Sequence, residues 1–214
     1  MNAALRAPIR RVTPDDVPRV ARLFAAVFAR DPLFDWLVRP GKKRQRALQE
    51  FFAWTLDHRT IPHGETWMTA DGLAAAAWVP PYPQTAPASL VDDLNMLQVL
   101  LRLTGLSRLP RGAAIAAAMR DAHPKEPYFY LAFIGVAPRR QGHGLGTALL
   151  TETLARADAA GTSAYLENSN PRNLKLYERA GFSVTREIRA RSDAPPVFAM
   201  WRPAPRQGSS TMSQ

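Results

Sequence analysis

A run of glycines directly after an apolar stretch is the feature of this chain that most constrains its fold. Residues Tyr128–Val136 are apolar, aromatic and β-branched, which is typical of a buried strand. The glycines follow before a helical pattern that runs to about residue 160, at Gly142, Gly144 and Gly146. Because glycine has no Cβ, backbone amides can crowd around an anion there, and the helix adds free N–H groups and the positive end of its dipole. The turn therefore predicts a phosphate or pyrophosphate site; the alternative is a glycine-rich connection without a ligand.

Other motifs of this kind do not fit the turn. A Walker loop needs Gly-Lys-Ser/Thr, and the turn contains no lysine. The dinucleotide pattern G-x-G-x-x-G, begun at Gly142 or Gly144, fails because Thr147 and Leu149 occupy its last glycine position. No G-x-S-x-G nucleophile elbow occurs in the chain.

The pattern of the whole chain predicts a mixed α/β fold in one domain, residues 1–202, followed by a polar, disordered tail, 203–214. Asp71-Gly72 is typical of a two-residue hairpin turn. The predicted strands are Ile9–Val12, Glu65–Ala70, Leu73–Val79, Tyr128–Val136, Ser163–Glu167, Phe182–Ile188 and Val197–Trp201. The predicted helices run from Pro14 to Asp31, over Leu33–Val38, Lys42–His58, Leu90–Leu103 and Ala113–Ala122, from the glycine turn to about 160, and over Pro171–Ala180.

The charge and the absence of cysteine exclude several classes of function. The net charge is +10, and only four of the 28 basic residues are lysines. Arginines are scattered and no known nucleic-acid motif occurs, so a small anionic ligand is favoured over nucleic acid. Without cysteine there are no disulfides, thiolate metal sites or cysteine nucleophiles. No secretory signal and no run of about 20 apolar residues occurs, so we expect a cytoplasmic protein with no membrane partner.

Motifs on both sides of the predicted phosphate site resemble a known enzyme family. Gln141-Gly142-His143-Gly144-Leu145-Gly146 fits Q/R-x-x-G-x-G/A, the acetyl-CoA signature of the GNAT N-acetyltransferases. A later stretch, from Asn170 through Leu176-Tyr177-Glu178 to Gly181-Phe182, resembles the last motif of that family. His123-Pro124-Lys125-Glu126-Pro127, Leu166-Glu167-Asn168-Ser169 and Pro171-Arg172-Asn173-Leu174 further resemble the group of puromycin N-acetyltransferases.

The resemblance implies a GNAT fold: a mixed sheet of about six to seven strands, flanked by helices, with splayed middle strands. Acetyl-CoA would lie in the splay. Its pantetheine arm would pair with backbone near Ile134 and Val136, and its pyrophosphate would sit on the turn amides. The implied cofactor-binding residues are Ile134, Val136, Arg140, Gln141, Gly142, His143, Gly144, Leu145, Gly146, Thr147, Asn170 and Asn173.

Acetyl transfer to an amine needs a base, an acid and a donor to the oxyanion. The resemblance makes Tyr177 the acid for the leaving thiolate; a core-packing tyrosine is the alternative. Glu167, at the end of a strand that faces the splay, is the candidate base, directly or through water; an ion pair with an arginine is the alternative. A backbone N–H near Ile134 could serve the oxyanion.

The acceptor site is expected from the first helices, where acids and aromatics suit a cationic amine: Asp31, Phe34, Asp35 and Trp36. The competing interpretation makes Phe34 and Trp36 core residues and the aspartates helix caps. His123 reads as a loop residue, and no metal is expected. The expected activity is direct acetyl transfer from acetyl-CoA to a small-molecule amine, aminonucleoside-like or other, by a monomer or homodimer. Acetylation of a protein or peptide and a CoA-binding regulator are the alternatives.

Overall fold

The computed structural model describes residues 8–63, 65–81 and 90–205 of the 214-residue chain. Residues 1–7 of the predicted domain and residues 206–214 of the predicted tail lie outside the described residues.

The described residues form a seven-stranded mixed sheet. Its strands are β1 (Ile9–Arg11), β2 (Thr66–Thr69), β3 (Ala74–Val79), β4 (Tyr128–Val136), β5 (Ser163–Asn168), β6 (Ser183–Ile188) and β7 (Val197–Arg202). They lie in the order β1-β2-β3-β4-β5-β7-β6, and every neighbouring pair is antiparallel except β4 and β5. The predicted α/β fold with six to seven strands is confirmed.

Helices cover both faces of this sheet. They are α1 (Val17–Phe28), α2 (Pro32–Leu37), α3 (Arg44–Thr55), α4 (Leu90–Ala122), α5 (Leu145–Ala159) and α6 (Leu174–Arg179). Side chains of α1–α4 form one apolar cluster on one face, and α5 and α6 contribute to a second cluster on the other. Because successive strand residues point to opposite faces, Ala75 and Ala77 of β3 belong to the first cluster and Ala76 and Trp78 to the second.

A group of phenylalanines holds the first helices against β4. Their ring centroids lie 5.0–6.5 Å apart, and the group comprises Phe24, Phe28, Phe34, Phe51, Phe52 and Phe133. Such tilted and edge-to-face pairs are the favoured geometry of aromatic rings. They fix α1 and α2 next to the middle of the sheet.

One predicted connection is wrong. The sequence predicts a non-helical segment between Leu103 and Ala113, whereas the helical run Leu90–Ala122 is interrupted only at Gly105, whose φ is 64° and ψ 172°. Pro110 lies inside the second part of this helical run. The glycine therefore makes a sharp bend between two helices rather than ending the helical structure.

None of the helices in the described part of the chain is long and apolar enough to cross a membrane.

Candidate active site

The two parallel strands in the middle of the sheet separate halfway along their length. β4 and β5 pair from Tyr128 with Ser163 as far as Leu131 with Leu166. Beyond that point β4 continues along β3 to Val136, and β5 continues along β7 to Asn168. The implied splay is therefore present, and the edge of β4 that faces it carries backbone groups without a strand partner.

A β-bulge marks the point of separation. Ala77 of β3 lies opposite Phe133, but the next residue, Trp78, lies opposite Leu131, so Ala132 is the extra residue. A bulge bends its strand and increases the local twist. The bend turns β4 away from β5 directly after their last pair.

A cleft of about 360 Å³, its open mouth included, occupies the gap. Its walls come from β4, β5, the end of α1, the start of α2 and the start of α6. It is lined by Phe28, Asp31, Leu131, Ala132, Phe133, Ile134, Leu166, Glu167, Asn168, Ser169, Asn173 and Tyr177. Five of the residues singled out from the sequence thus meet in one place: Asp31, Ile134, Glu167, Asn173 and Tyr177.

Glu167 projects into this cleft from the first position of β5 beyond the paired region. Its side chain is only 1% exposed. Oε2 accepts a hydrogen bond of 2.7 Å from the Tyr130 hydroxyl, and His123 Nε2 lies 3.0 Å from Oε1. Burial raises the pKa of Tyr130 well above its ordinary range, and the neighbouring Glu167 carboxylate raises it further, so Tyr130 remains the donor.

Tyr177 comes from α6, on the other wall of the cleft. It is buried and packs edge-on against Phe182, with ring centroids 6.3 Å apart. Burial raises the pKa of its hydroxyl above the ordinary range, and the nearby Asp31 carboxylate adds to the rise. The hydroxyl therefore holds its proton throughout the neutral range.

Asp31 is both a helix cap and a cleft residue. Its Oδ1 accepts hydrogen bonds from the N–H groups of Leu33 and Phe34, at 3.0 and 3.3 Å, which caps α2. Its other oxygen, Oδ2, accepts a hydrogen bond of 2.7 Å from the Ser169 hydroxyl. Burial raises the pKa of Asp31, partly offset by these hydrogen bonds.

The other three residues predicted for the acceptor site lie elsewhere. Phe34 is buried among the phenylalanines described above. The exposed Asp35 side chain lies 3.3 Å from Arg44. Trp36 donates its indole N–H to Asp193 at 3.1 Å and packs under the Arg111 guanidinium. None of these three residues is among those that line the cleft.

The glycine-rich turn has the backbone that an anion site requires. Gly142 and Gly144 have φ of 78° and 77°, a region that side chains rarely adopt, and an added Cβ at either would meet no atom within 4 Å. Gly144 precedes α5, whose first helical hydrogen bond runs from Ala148 N to Gly144 O at 3.0 Å. The N–H groups before that bond, those of Leu145, Gly146 and Thr147, therefore stand free at the helix N-terminus.

Side chains of the turn mainly hold its shape. Gln141 donates to Val136 O at 3.1 Å, and a ring nitrogen of His143 lies 2.8 Å from Gln141 O. Arg140 lies 3.4 Å from Asp71, in the hairpin between β2 and β3. These contacts tie the turn to the end of β4 and to the neighbouring hairpin.

Asparagines shape the mouth of the cleft. Asn170 accepts a hydrogen bond from Arg172 N at 3.2 Å and so caps the turn before α6, which fits its structural alternative. Asn173 lines the cleft, with no capping bond from its side chain among the described residues. Asn168, which the sequence did not single out, is 3% exposed, and its Nδ2 has no hydrogen-bond partner in the described part of the chain.

Several cleft residues escaped the sequence reasoning. Phe28 and Phe133 look like any core aromatic in the sequence, whereas Ser169 ends the Leu166-Glu167-Asn168-Ser169 stretch. His123 was interpreted as a loop residue, but its ring lies against Glu167. His123 and Ser169 stand in stretches that carry the family resemblance, which is a local signal, but only the fold shows that they lie near the splay. No group of three or more potential metal ligands occurs among the residues that the structure describes.

Glu167 and Tyr177 thus line one cleft at the splay of β4 and β5, and the turn before α5 offers free amides to an anion. The Acetyltransferase (GNAT) family matches this chain over residues 32–182, which is more than half of its length. The chain therefore belongs to the GNAT acetyltransferase family and is an acyltransferase. This family takes its acetyl group from acetyl-CoA.

Solved structures share the fold over almost the whole chain. A protein from Corynebacterium glutamicum described as histone acetyltransferase HPA2 and related acetyltransferase is 26% identical, with a TM-score of 0.70 over 92% of this chain and 96% of that one. A polyamine N-acetyltransferase of Drosophila melanogaster is 16% identical, with a TM-score of 0.60 over 92% and 99%. Arylalkylamine N-acetyltransferase 2 of Aedes aegypti is 14% identical, with a TM-score of 0.59 over the same shares.

Proposed function

We propose that this enzyme transfers an acetyl group from acetyl-CoA directly to the primary amine of a cationic small molecule. The observation that carries the proposal is that Glu167 and Tyr177 line one cleft at the opening between β4 and β5. A proton acceptor and a proton donor thus flank the place where the unpaired edge of β4 begins.

Acetyl-CoA fits the features around this cleft. The free amides of the turn and the positive dipole end of α5 suit its pyrophosphate. The unpaired backbone of β4 beyond Leu131 suits the amides of its pantetheine arm. Asn173 and the unpartnered Nδ2 of Asn168 are further donors at the cleft wall. When bound, acetyl-CoA supplies the activated acetyl thioester.

Glu167 acts as the base in this proposal. An amine reaches the enzyme as an ammonium ion, which is not a nucleophile until it loses a proton. The buried Glu167 carboxylate attracts the cation and takes that proton, directly or through one water. Tyr130 holds the carboxylate in place through its 2.7 Å hydrogen bond to Oε2.

Tyr177 acts as the acid. The leaving thiolate takes the Tyr177 proton, which the raised pKa of the hydroxyl retains until that step, and Tyr177 regains a proton from the newly acylated nitrogen. A backbone N–H of β4 near Ile134 faces the negative charge that develops on the acyl oxygen. Because the chain has no cysteine, an acetyl-cysteine intermediate is excluded and direct transfer is favoured.

The cleft lining supports a cationic acceptor. The Asp31 carboxylate is 7% exposed and stands near Tyr177, with the rings of Phe28 and Phe133 in the same wall. A carboxylate beside aromatic rings suits an organic ammonium ion. Within this class an aminonucleoside fits the motif likeness to puromycin N-acetyltransferases. The similar structures named for polyamines and arylalkylamines support the fold, and the substrate class rests on the cleft.

The test is a panel of acceptors assayed by release of the CoA thiol. The panel holds puromycin as the aminonucleoside, a polyamine, an arylalkylamine and a peptide with a free N-terminus. We expect acetyl-CoA to raise the melting temperature, and at least one small amine to turn over faster than the peptide. Faster turnover of the peptide would make this a peptide acetyltransferase. Binding of acetyl-CoA without any turnover would make it a CoA-binding regulator, and no thermal shift would remove the cofactor assignment.

The matched variant for the substrate class is Asp31→Asn. Asparagine is as good a helix N-cap as aspartate, so α2 stays capped while the negative charge is lost. We expect the KM for the amine to rise about tenfold, since hydrogen bonds to a charged partner contribute about 1.5–3 kcal/mol. The KM for acetyl-CoA should stay the same. An unchanged KM for the amine would place the cation elsewhere.

A further inference from the structure

His123 lies between the buried carboxylate of the cleft and the protein surface. It directly follows α4, and its N–H donates to Met119 O at 3.1 Å. Its Nε2 lies 3.0 Å from Glu167 Oε1, and its Nδ1 lies 2.5 Å from the Tyr128 hydroxyl. The imidazole therefore joins Glu167 to Tyr128 through both of its nitrogens.

Aromatic rings fix the orientation of this imidazole. The ring centroids of Tyr130 and Tyr165 lie 5.2 and 5.1 Å from that of His123. Glu167 Oε1 is buried and accepts no hydrogen bond from the described residues, and His123 Nε2 is a polar atom 3.0 Å from it. A proton on Oε1 would therefore have His123 Nε2 beside it as an acceptor.

Exposure increases along the same path. The Glu167 side chain is 1% exposed, whereas the His123 side chain is 31% exposed. Tyr128, beyond it, is half-buried. A proton on Glu167 is therefore shielded from solvent, whereas a proton on His123 can pass to solvent.

Acetylation of an ammonium ion produces one proton per turnover. The nitrogen gains the acetyl group, the thiolate takes one proton, and the second proton of the original ammonium group must leave the site. Under the proposed function, Glu167 accepts this proton from the ammonium ion. Glu167 must then release the proton before the next turnover. A buried base therefore needs a route to water.

We propose that His123 and Tyr128 form the proton exit from Glu167. The Glu167 carboxyl gives its proton to His123 Nε2. In the Nδ1–H form of His123, Nδ1 then passes its proton to the Tyr128 oxygen as the Tyr128 hydroxyl proton moves to water, or gives it to water directly. This leaves the new proton on Nε2, and exchange with water, which takes the Nε2 proton and returns one to Nδ1, restores the starting form before the next turnover. Glu167 returns to the carboxylate, and nothing is oxidised or reduced. Imidazole suits this role because it accepts and releases protons near neutral pH. The inference rests on the proposed role of Glu167, and His123 acts through it as a positioning and relay residue.

The first test compares the activities of His123→Ala and His123→Gln, with the best amine of the acceptor panel as the substrate. Glutamine can still donate a hydrogen bond to Glu167 Oε1, but it cannot relay a proton. We expect kcat to fall about tenfold or more in both variants, since positioned proton transfer contributes about 10²–10⁴-fold. The KM for acetyl-CoA and the melting temperature of His123→Gln should match the wild type. Wild-type kcat in His123→Gln would reduce the role of His123 to a hydrogen bond and overturn the relay.

The second test is chemical rescue of His123→Ala. Imidazole should restore kcat, because the site is open to solvent, whereas 1,2,4-triazole, of the same shape but far less basic, should not. Equal rescue by both compounds would show a space-filling role and contradict the relay. His58→Ala is the control, since the exposed His58 stacks on Trp54 at 4.7 Å and lies outside the cleft; its activity should be normal and insensitive to imidazole. An inactive wild type would overturn the proposed function and the relay together, whereas an active wild type with an active His123→Ala would overturn the relay alone.

Discussion

Tyr177 and Glu167 reach the cleft from separate elements, and their surroundings give them different proton chemistry. Tyr177 lies among apolar side chains of α6 and near the Asp31 carboxylate, both of which favour its neutral form. Glu167 accepts a hydrogen bond from Tyr130 on Oε2, and His123 Nε2 lies 3.0 Å from its Oε1. One residue is kept protonated and the other is placed to exchange a proton.

Replacement of Tyr177 by phenylalanine tests the acid directly. The ring and its contact with Phe182 remain, so the fold and the dissociation constant for acetyl-CoA should be unchanged. We expect kcat to fall about a hundredfold or more, since the leaving thiolate loses its proton donor. Steady-state kinetics with titration calorimetry of acetyl-CoA checks this. A kcat equal to the wild type would assign the proton to another group.

Single residues were predictable from the sequence where a motif carried them. Tyr177, Glu167 and the turn glycines stand in recognisable spacings. Phe34, Asp35 and Trp36 were chosen by composition alone, and composition does not tell which side of a short helix faces a cleft. His123 was missed because its partner Glu167 lies on another strand, which only the parallel pairing of β4 and β5 brings close.

At the scale of the secondary-structure elements, the positions at which strands separate and helices begin determine the candidate site. β4 leaves β5 at the Ala132 bulge, and α5 begins at Gly144 with its free N–H groups directed to the same end of the sheet. The strands and most helices followed from hydrophobic periodicity and turn residues. The bulge could not be predicted, because it depends on the register between β3 and β4 rather than on any local pattern.

Two glycines with similar positive φ allow an effect on the anion site to be distinguished from a general effect on stability. Gly144→Ala and Gly41→Ala each place a side chain at positive φ, 77° and 88°, in open space. Each should lower the free energy of unfolding by about 1–2 kcal/mol. We expect only Gly144→Ala to weaken acetyl-CoA binding, since Gly41 lies between α2 and α3. Denaturant unfolding and calorimetry measure the two effects, and equal loss of affinity in both variants would contradict the placement of the cofactor on the turn.

At the scale of the whole molecule, some of the basic residues serve the fold, and three arginines contact carbonyls at the C-terminal ends of helices. Arg44 and Arg108 both donate to Val38 O, and Arg202 donates to Ala180 O. Cations at helix C-termini satisfy free carbonyls and complement the dipole. Part of the net charge of +10 is therefore engaged in contacts within the fold. Charge alone could not have indicated this, since the carbonyls belong to the folded backbone.

A single-turnover experiment on the full chain is the most direct test of acetyl transfer from acetyl-CoA to an amine in this cleft. The full chain is mixed with an equal amount of acetyl-CoA and the amine that the panel selects, and the mixture is stopped over time. Mass spectrometry then follows the protein and the amine together. We predict that the acetyl group appears on the amine at the rate of thiol release, with no acetylated protein at any time. An acetylated protein that forms and decays before the product appears, or thiol release without an acetylated amine, would contradict direct transfer.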